Sequence, residues 1–181
     1  MSKSAIKEVR NAALYIEQGI ALSDLGNNLA AIECYDKAIV INSNDASAYF
    51  NKGNALSALG SNLALGNNLA AIECYDKAIS LNPNYAYSYS NKGVVLSALG
   101  NKPAAIECYD KAISIKPQDC LPYCNKGIAL SSLGREQEAL QSFDKAYSIS
   151  QSGNLGTNLS KHNIAHINQV LSKDREALLK K

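Results

Sequence analysis

Two pairs of side chains in this 181-residue sequence are spaced so that they could do chemistry together. His162 and His166 stand four residues apart, so on a helix both imidazoles could face one metal ion. Cys120 and Cys124 share that spacing, and a thiolate there would be a nucleophile or a ligand if its pKa were lowered. Neither pair is completed. A metal site needs further ligands, and none stands near the histidines at matching spacing, which leaves two polar residues on a solvated helix. The cysteines lack the histidine or basic neighbour that favours a thiolate. No phosphate-cradling glycine loop and no nucleophile elbow occurs. A catalytic site gathers nucleophile, base and orienting group in one pocket. The expectation is therefore a chain with no catalytic residue, no metal and no cofactor, and not an enzyme.

What remains is recognition without covalent chemistry. Lysine and arginine number 18 against 16 aspartates and glutamates, a formal charge of +2, which gives no surplus for steering onto a polyanion. Nucleic acid is not an expected partner. Hydrophobic residues make up 46% and charged ones 19%, enough apolar side chain to exclude wholesale disorder. No segment approaches the roughly 18 apolar residues of a membrane span, and the start, MSKSAIKEVR, lacks the apolar stretch of a secretory signal. The expected protein is soluble and cytoplasmic, with no membrane partner. Of its five cysteines, Cys34, Cys74 and Cys108 recur at one equivalent place, a mark of duplication, and reduced thiols are the simpler reading.

The elements that position these residues repeat. NKGNALSALG at 51–60, NKGVVLSALG at 91–100 and NKGIALSSLG at 125–134 are copies of one segment, with EQGIALSDLG at 17–26 a weaker relative. A second block follows each: AAIECYDKAI at 30–39, 70–79 and 104–113, then EALQSFDKAY at 138–147. Apolar residues at three- and four-residue steps, such as Ile106, Tyr109, Ala112 and Ile113, make both segments helical, so each unit is a helical hairpin. Gly26, Gly66, Gly100 and Gly134 lie between the paired helices, where a left-handed residue can end the first. Asp45 and Asp119 stand at N-cap positions of first helices, and Pro83 and Pro117 stop second ones. Pro103 and Pro122 fall in first helical turns, where a missing N–H costs nothing. The mid-helix Gly19, Gly53, Gly93 and Gly127 each cost about 1 kcal/mol against alanine, so their recurrence needs a packing reason. Ala31, Ala105 and Ala139, each twelve residues after such a glycine, allow a close backbone approach. The rings of Tyr35, Tyr75, Tyr109 and Phe143 are expected to fill the space toward the neighbouring repeat.

A 34-residue period with Tyr, Gly, Leu, Ala, Tyr or Phe, Ala and Pro in this order resembles the tetratricopeptide repeat (TPR), over roughly residues 12 to 151. The resemblance implies an all-α fold, a right-handed superhelical solenoid of antiparallel helix pairs whose concave groove is lined by the first helix of each pair. The expected units within 1–151 span about 12–45, 46–85, 86–119 and 120–151, followed by a connector at 152–157. Residues 158–181 read as a C-terminal capping helix over the last apolar face, or as a partner-binding tail. Gly53 and Gly93 are 40 residues apart because LGSNLA at 59–64 is copied as LGNNLA at 65–70. Six added residues rotate a continuous helix by about 240°, so this insertion is expected to bulge at 60–66 as a longer turn, either a tolerated loop or a contact site. Lys52, Lys92 and Lys126, where the family often has Leu, are expected to bury their stems and lift the ammonium to water.

In this family the places six, three and two before the mid-helix glycine, and one, four and five after it, face the groove. Phe50, Asn51 and Asn54 fall there in repeat two, Tyr87, Ser90, Asn91 and Val94 in repeat three, and Leu121, Cys124, Asn125 and Ile128 in repeat four. Repeat one contributes Ile16, Ile20 and Ser23 together with Glu17 and Asp24, the only charged residues of the arc. The missing Lys and Arg argue against the clamp with which some family members hold the acidic C-termini of heat-shock chaperones. Asn54 and Asn91 match its asparagines, but Phe50, Leu121 and Asn125 stand where its basic residues should. The column Asn51, Asn91 and Asn125 resembles instead the asparagine ladder of O-linked N-acetylglucosamine transferase, which holds peptide main chain. A carboxamide offers two donors and an acceptor, so it can pair with an extended chain whatever its side chains. The alternative is that NKG repeats by duplication alone and the asparagines are solvated. Phe50, Tyr87, Val94, Leu121 and Ile128 would supply the apolar contacts. The expected function is a non-catalytic scaffold holding an extended, mostly uncharged protein or peptide segment. A self-associating structural module, a homo-oligomer, and a regulatory or substrate-delivery arm of an enzyme complex are the alternatives.

Overall fold

The structure, a computed structural model, describes residues 3–60 and 65–151. All regular structure among them is helical: α1 (Lys3–Asp24), α2 (Asn28–Ile41), α3 (Ala46–Gly60), α4 (Leu65–Leu81), α5 (Ala86–Ala98), α6 (Lys102–Ile115), α7 (Cys120–Ser131) and α8 (Glu136–Gln151). The connector at 152–157 and the helix expected over 158–181, with His162 and His166, lie outside the described residues.

The turn between α1 and α2 shows why two helices form and not one. Gly26 takes φ 79°, a left-handed conformation that only glycine adopts cheaply. That bend lets Gly26 N donate to Ser23 O at 2.9 Å and Asn27 N to Leu22 O at 2.8 Å, so the last carbonyls of α1 are satisfied. Asn27 then accepts from Ala30 N at 3.4 Å and caps α2. Gly100 and Asn101 repeat the device between α5 and α6. Asp119 accepts from Leu121 N at 3.1 Å, and Asp45 from Ser47 N at 2.9 Å, as N-caps should.

Gly66 departs from the expectation. It lies inside α4 and is not among the left-handed glycines, which are Gly26, Gly100 and Gly134. α3 runs to Gly60, seven residues past Gly53, whereas α1 and α5 end five residues past Gly19 and Gly93. α4 opens at Leu65, three residues before Asn68, the equivalent of the first residue of α2. Gly60, Leu65 and Gly66 are thus helical, not part of a bulge, and residues 61–64 lie outside the described residues. The physical reason is that no proline stops α4 from growing backward. Asn68 Nδ2 reaches Gly60 O at 3.5 Å, joining the end of α3 to the lengthened start of α4.

The chain divides into two compact units, Met1–Val95 and Leu96–Lys181. In the first, α1 packs on α2, α3 on α4, and α2 and α1 on α3; in the second, α6 packs on α7 and α7 on α8. The core of each sets alanines around aromatic rings, Ala31 and Ala38 around Tyr35 in the first and Ala139 and Ala146 around Phe143 in the second, with Ile16 added in the first and Ile106, Leu130 and Ile149 in the second. Those rings explain the mid-helix glycines, in a way that differs from the expectation. A Cβ at Gly53 would sit 2.8 Å from Tyr75 Cε1, and one at Gly127 2.5 Å from Phe143 Cε1. Each ring presses on the glycine of its own repeat, as Tyr35 does on Gly19. The glycine's helical cost of about 1 kcal/mol is offset by burying the aromatic side chain, worth roughly 1.5–3 kcal/mol.

The three lysines also depart from the expectation. Their stems are mostly buried, but each Nζ meets a carboxylate of the preceding second helix at 2.5 Å: Lys52 with Asp36, Lys92 with Asp76 and Lys126 with Asp110. Sixteen residues separate every pair. The aspartates are half exposed, so each bridge is worth about 0.2–1 kcal/mol and sets register more than stability.

Candidate peptide-binding groove

In the first unit the centre of the expected groove face is Asn54. Its Oδ1 accepts from the Tyr75 hydroxyl at 3.0 Å and from Asn91 Nδ2 at 2.8 Å, so α3, α4 and α5 meet at one carbonyl oxygen. Burial pushes the Tyr75 phenol well above the usual tyrosine range, outweighing the nearness of Ser57 and Asn91, and keeps it a neutral donor. With Oδ1 turned toward Tyr75 and Asn91, the Nδ2 of Asn54 points away from them.

Phe50 belongs to an aromatic cluster. Its ring centroid lies 4.9 Å from that of Tyr85, 6.2 Å from Tyr75 and 6.5 Å from Tyr87, within the range of favourable ring pairs. Tyr87 and Val94 are the presented apolar residues, 46% and 44% exposed. Asn51 and Asn91 are half buried. In the second unit, Leu121 is exposed on α7, with Asn125 and Ile128 half buried. Three residues expected on the groove arc are interior instead: Ile16, Ser90 and Cys124, all three before the mid-helix glycine. Phe50, at the same place in α3, is half buried.

A cleft of about 300 Å³ opens between the first two repeats, lined by Ser23, Asp24, Asn28, Tyr35, Asn51 and Asn54 among others. Sequence reasoning placed Asn51 and Asn54 in the groove and missed Asn28, Tyr35, Tyr75 and Tyr85. The signal for Tyr75 was the choice of Tyr over the Phe of repeat four, since a buried hydroxyl needs a partner.

Burial bears directly on the paired thiols of α7. Cys120 and Cys124 are fully buried, and burial, with Cys120 beside it, pushes the Cys124 thiol up to about 12, so it stays protonated near neutral pH. Among the described residues no three His, Cys, Asp or Glu side chains gather to hold a metal, and no helix is long and apolar enough to cross a membrane.

Helical hairpins, a glycine–ring contact in the first, second and fourth, and recurring inter-repeat bridges define the class, a helical repeat solenoid of the kind that serves as a protein-interaction scaffold. Family profiles described as TPR repeat match residues 19–60 and 63–100, and others described as tetratricopeptide repeat match 86–119 and 108–141. The chain belongs to the tetratricopeptide repeat family. Among solved structures it is similar to MamA, with 32% identity and a TM-score of 0.72 over 78% of this chain and 80% of that one. It also resembles Pseudomonas aeruginosa pilF (18% identity, TM-score 0.78, 95% and 72% of the chains) and the Arabidopsis OM64 TPR domain (18%, 0.64, 69% and 98%). These two likenesses show a shared fold alone. No curated protein matches the sequence.

Proposed function

We propose that the chain is a non-catalytic scaffold whose first helices hold an extended, mostly uncharged protein segment. The observation that carries this reading is the 2.8 Å bond from Asn91 Nδ2 to Asn54 Oδ1. It fixes the orientation of the Asn91 carboxamide without using its Oδ1, which can then accept from a main-chain N–H. Asn51 and Asn125, at the equivalent positions of α3 and α7, are the matching contacts, and exposed apolar surface is offered by Tyr87 and Val94 in the first unit and by Leu121 in the second. Phe50 and Asn54 support the site through the aromatic cluster and the Tyr75 bond, and Ile128 adds apolar area on α7. The cysteines are all thiols, which fits a reducing compartment, and we assign the scaffold to the cytoplasm.

Decapeptides selected from a display library on the full chain would be measured by calorimetry against the wild type and Asn91→Ala with Asn125→Ala. The double variant is expected to bind them about tenfold more weakly or worse, with helix content unchanged. Unchanged affinity would sink the carboxamide reading. A second reading, self-association, is favoured by the exposed Leu25, Leu29 and Leu69 of the first unit. Light scattering separates the two, since a stable oligomer that no longer binds peptide supports self-association.

A further inference from the structure

The cleft between the first two repeats differs from the rest of the groove face in carrying a charge. Asp24 ends α1 at its lip, and at the equivalent position the other repeats have Ala58, Ala98 and Ser132. Among the described residues no Lys or Arg pairs with Asp24, whereas Asp36, Asp76, Asp110 and Glu138 each hold one. The position opposes the carboxylate further, because the last turn of a helix is the negative end of its dipole. Glu17 is exposed seven residues earlier, on the same face of α1.

The remaining walls are neutral, apolar at Ile20, Ala55 and Ala58 and polar at three asparagines. Asn28 and Asn51 bring carboxamides, and Asn54 turns its Nδ2 away from Tyr75 and Asn91. In the floor, the Ser23 Oγ is shielded from solvent and finds no hydrogen-bond partner among the described residues. It lies close enough to Tyr35 to bear on that phenol's ionisation without completing a bond in hydrogen-bond geometry.

We infer that this cleft takes a cationic side chain, Arg or Lys, of the segment held in the groove, with Asp24 as its counter-ion and Asn51 as an acceptor for its remaining N–H groups. A site of about 300 Å³ has room for one long side chain. The acidic lip and the absence of described basic residues on this face make the charge complementary. That the cation arrives on a peptide rests on the groove reading; that the cleft accepts a cation does not.

The test has two arms on the full chain. In the first, the ¹⁵N-labelled protein is titrated with agmatine, a free guanidinium, and with the neutral N-butylurea. Saturable shifts of the Asn28 and Asn51 side-chain amides are expected with agmatine alone, absent in Asp24→Asn and restored in Asp24→Glu. In the second, decapeptides of Ala, Ser, Gln and Leu carry either arginine or citrulline at one position. The arginine peptide is expected to bind about tenfold more tightly at low salt, a preference lost in Asp24→Asn while the citrulline peptide binds both proteins alike. Equal binding of the two peptides, or agmatine shifts that survive in Asp24→Asn or never appear, would overturn the inference and leave the groove standing. Agmatine shifts lost in Asp24→Asn, with no peptide bound at all, would support the cleft and overturn the groove.

Discussion

Tyr75 meets in Asn54 an acceptor that the other repeats do not have at that place, where Ile20, Val94 and Ile128 stand instead. The second repeat therefore spends a carboxamide on its own structure, and Asn91 of the next repeat is tied to the same oxygen. Tyr75→Phe removes one of the two bonds while keeping the ring on Gly53, and it should cost about 0.5–1.5 kcal/mol. In a chain of this size that lowers Tm by a few degrees, roughly 2–4 °C per kcal/mol, as a thermal melt would show. An unchanged Tm would mean that the hydroxyl is equally satisfied by water. The asparagines themselves were legible from their spacing. Which of them also hold the structure together was not, because the partner of Asn54 comes from a ring 21 residues away, and nothing local marks it.

The hairpin turns separate two kinds of glycine that look alike in sequence. Gly26 and Gly100 carry φ of 79° and 84°, whereas Gly66, in the same LG(N)N context, is a helical residue with open space where a Cβ would stand. Gly26→Ala should then destabilise the chain by about 1–2 kcal/mol, the cost of a left-handed residue with a side chain. Gly66→Ala should stabilise it by up to about 1 kcal/mol through helix propensity. Urea unfolding of the two variants measures both signs, and a Gly66→Ala loss as large as that of Gly26→Ala would return Gly66 to a turn. Sequence reading found the helices, their caps and their terminating prolines because those signals lie within four residues of what they determine. It missed the fate of Gly66 because two copies of one turn sequence compete there, and the choice between them depends on packing. It left the lysines in water for a similar reason: the Asp–Lys spacing of sixteen recurs in the sequence, but it becomes a bridge only once α2 packs on α3 and α6 on α7.

At the scale of the molecule, each unit is built from hairpins whose cores combine alanines and aromatic rings with larger aliphatic side chains such as Ile16, Ile106 and Leu130. The family resemblance read from the sequence was correct, and the all-helical repeat fold it implied is the one observed. The interior placement of Ile16, Ser90 and Cys124 trims the arc expected for the groove, while the carboxamides, Tyr87, Val94 and Leu121 are among the members that stay exposed or half buried. The central claim is that partner segments lie along the first helices. Its most direct measurement is the pattern of amide shifts when a display-selected decapeptide is added to the ¹⁵N-labelled full chain. The shifts are predicted to concentrate on α3, α5 and α7 and to include the side-chain amides of Asn51, Asn91 and Asn125. Shifts confined to the second helices, α2, α4, α6 and α8, would contradict it.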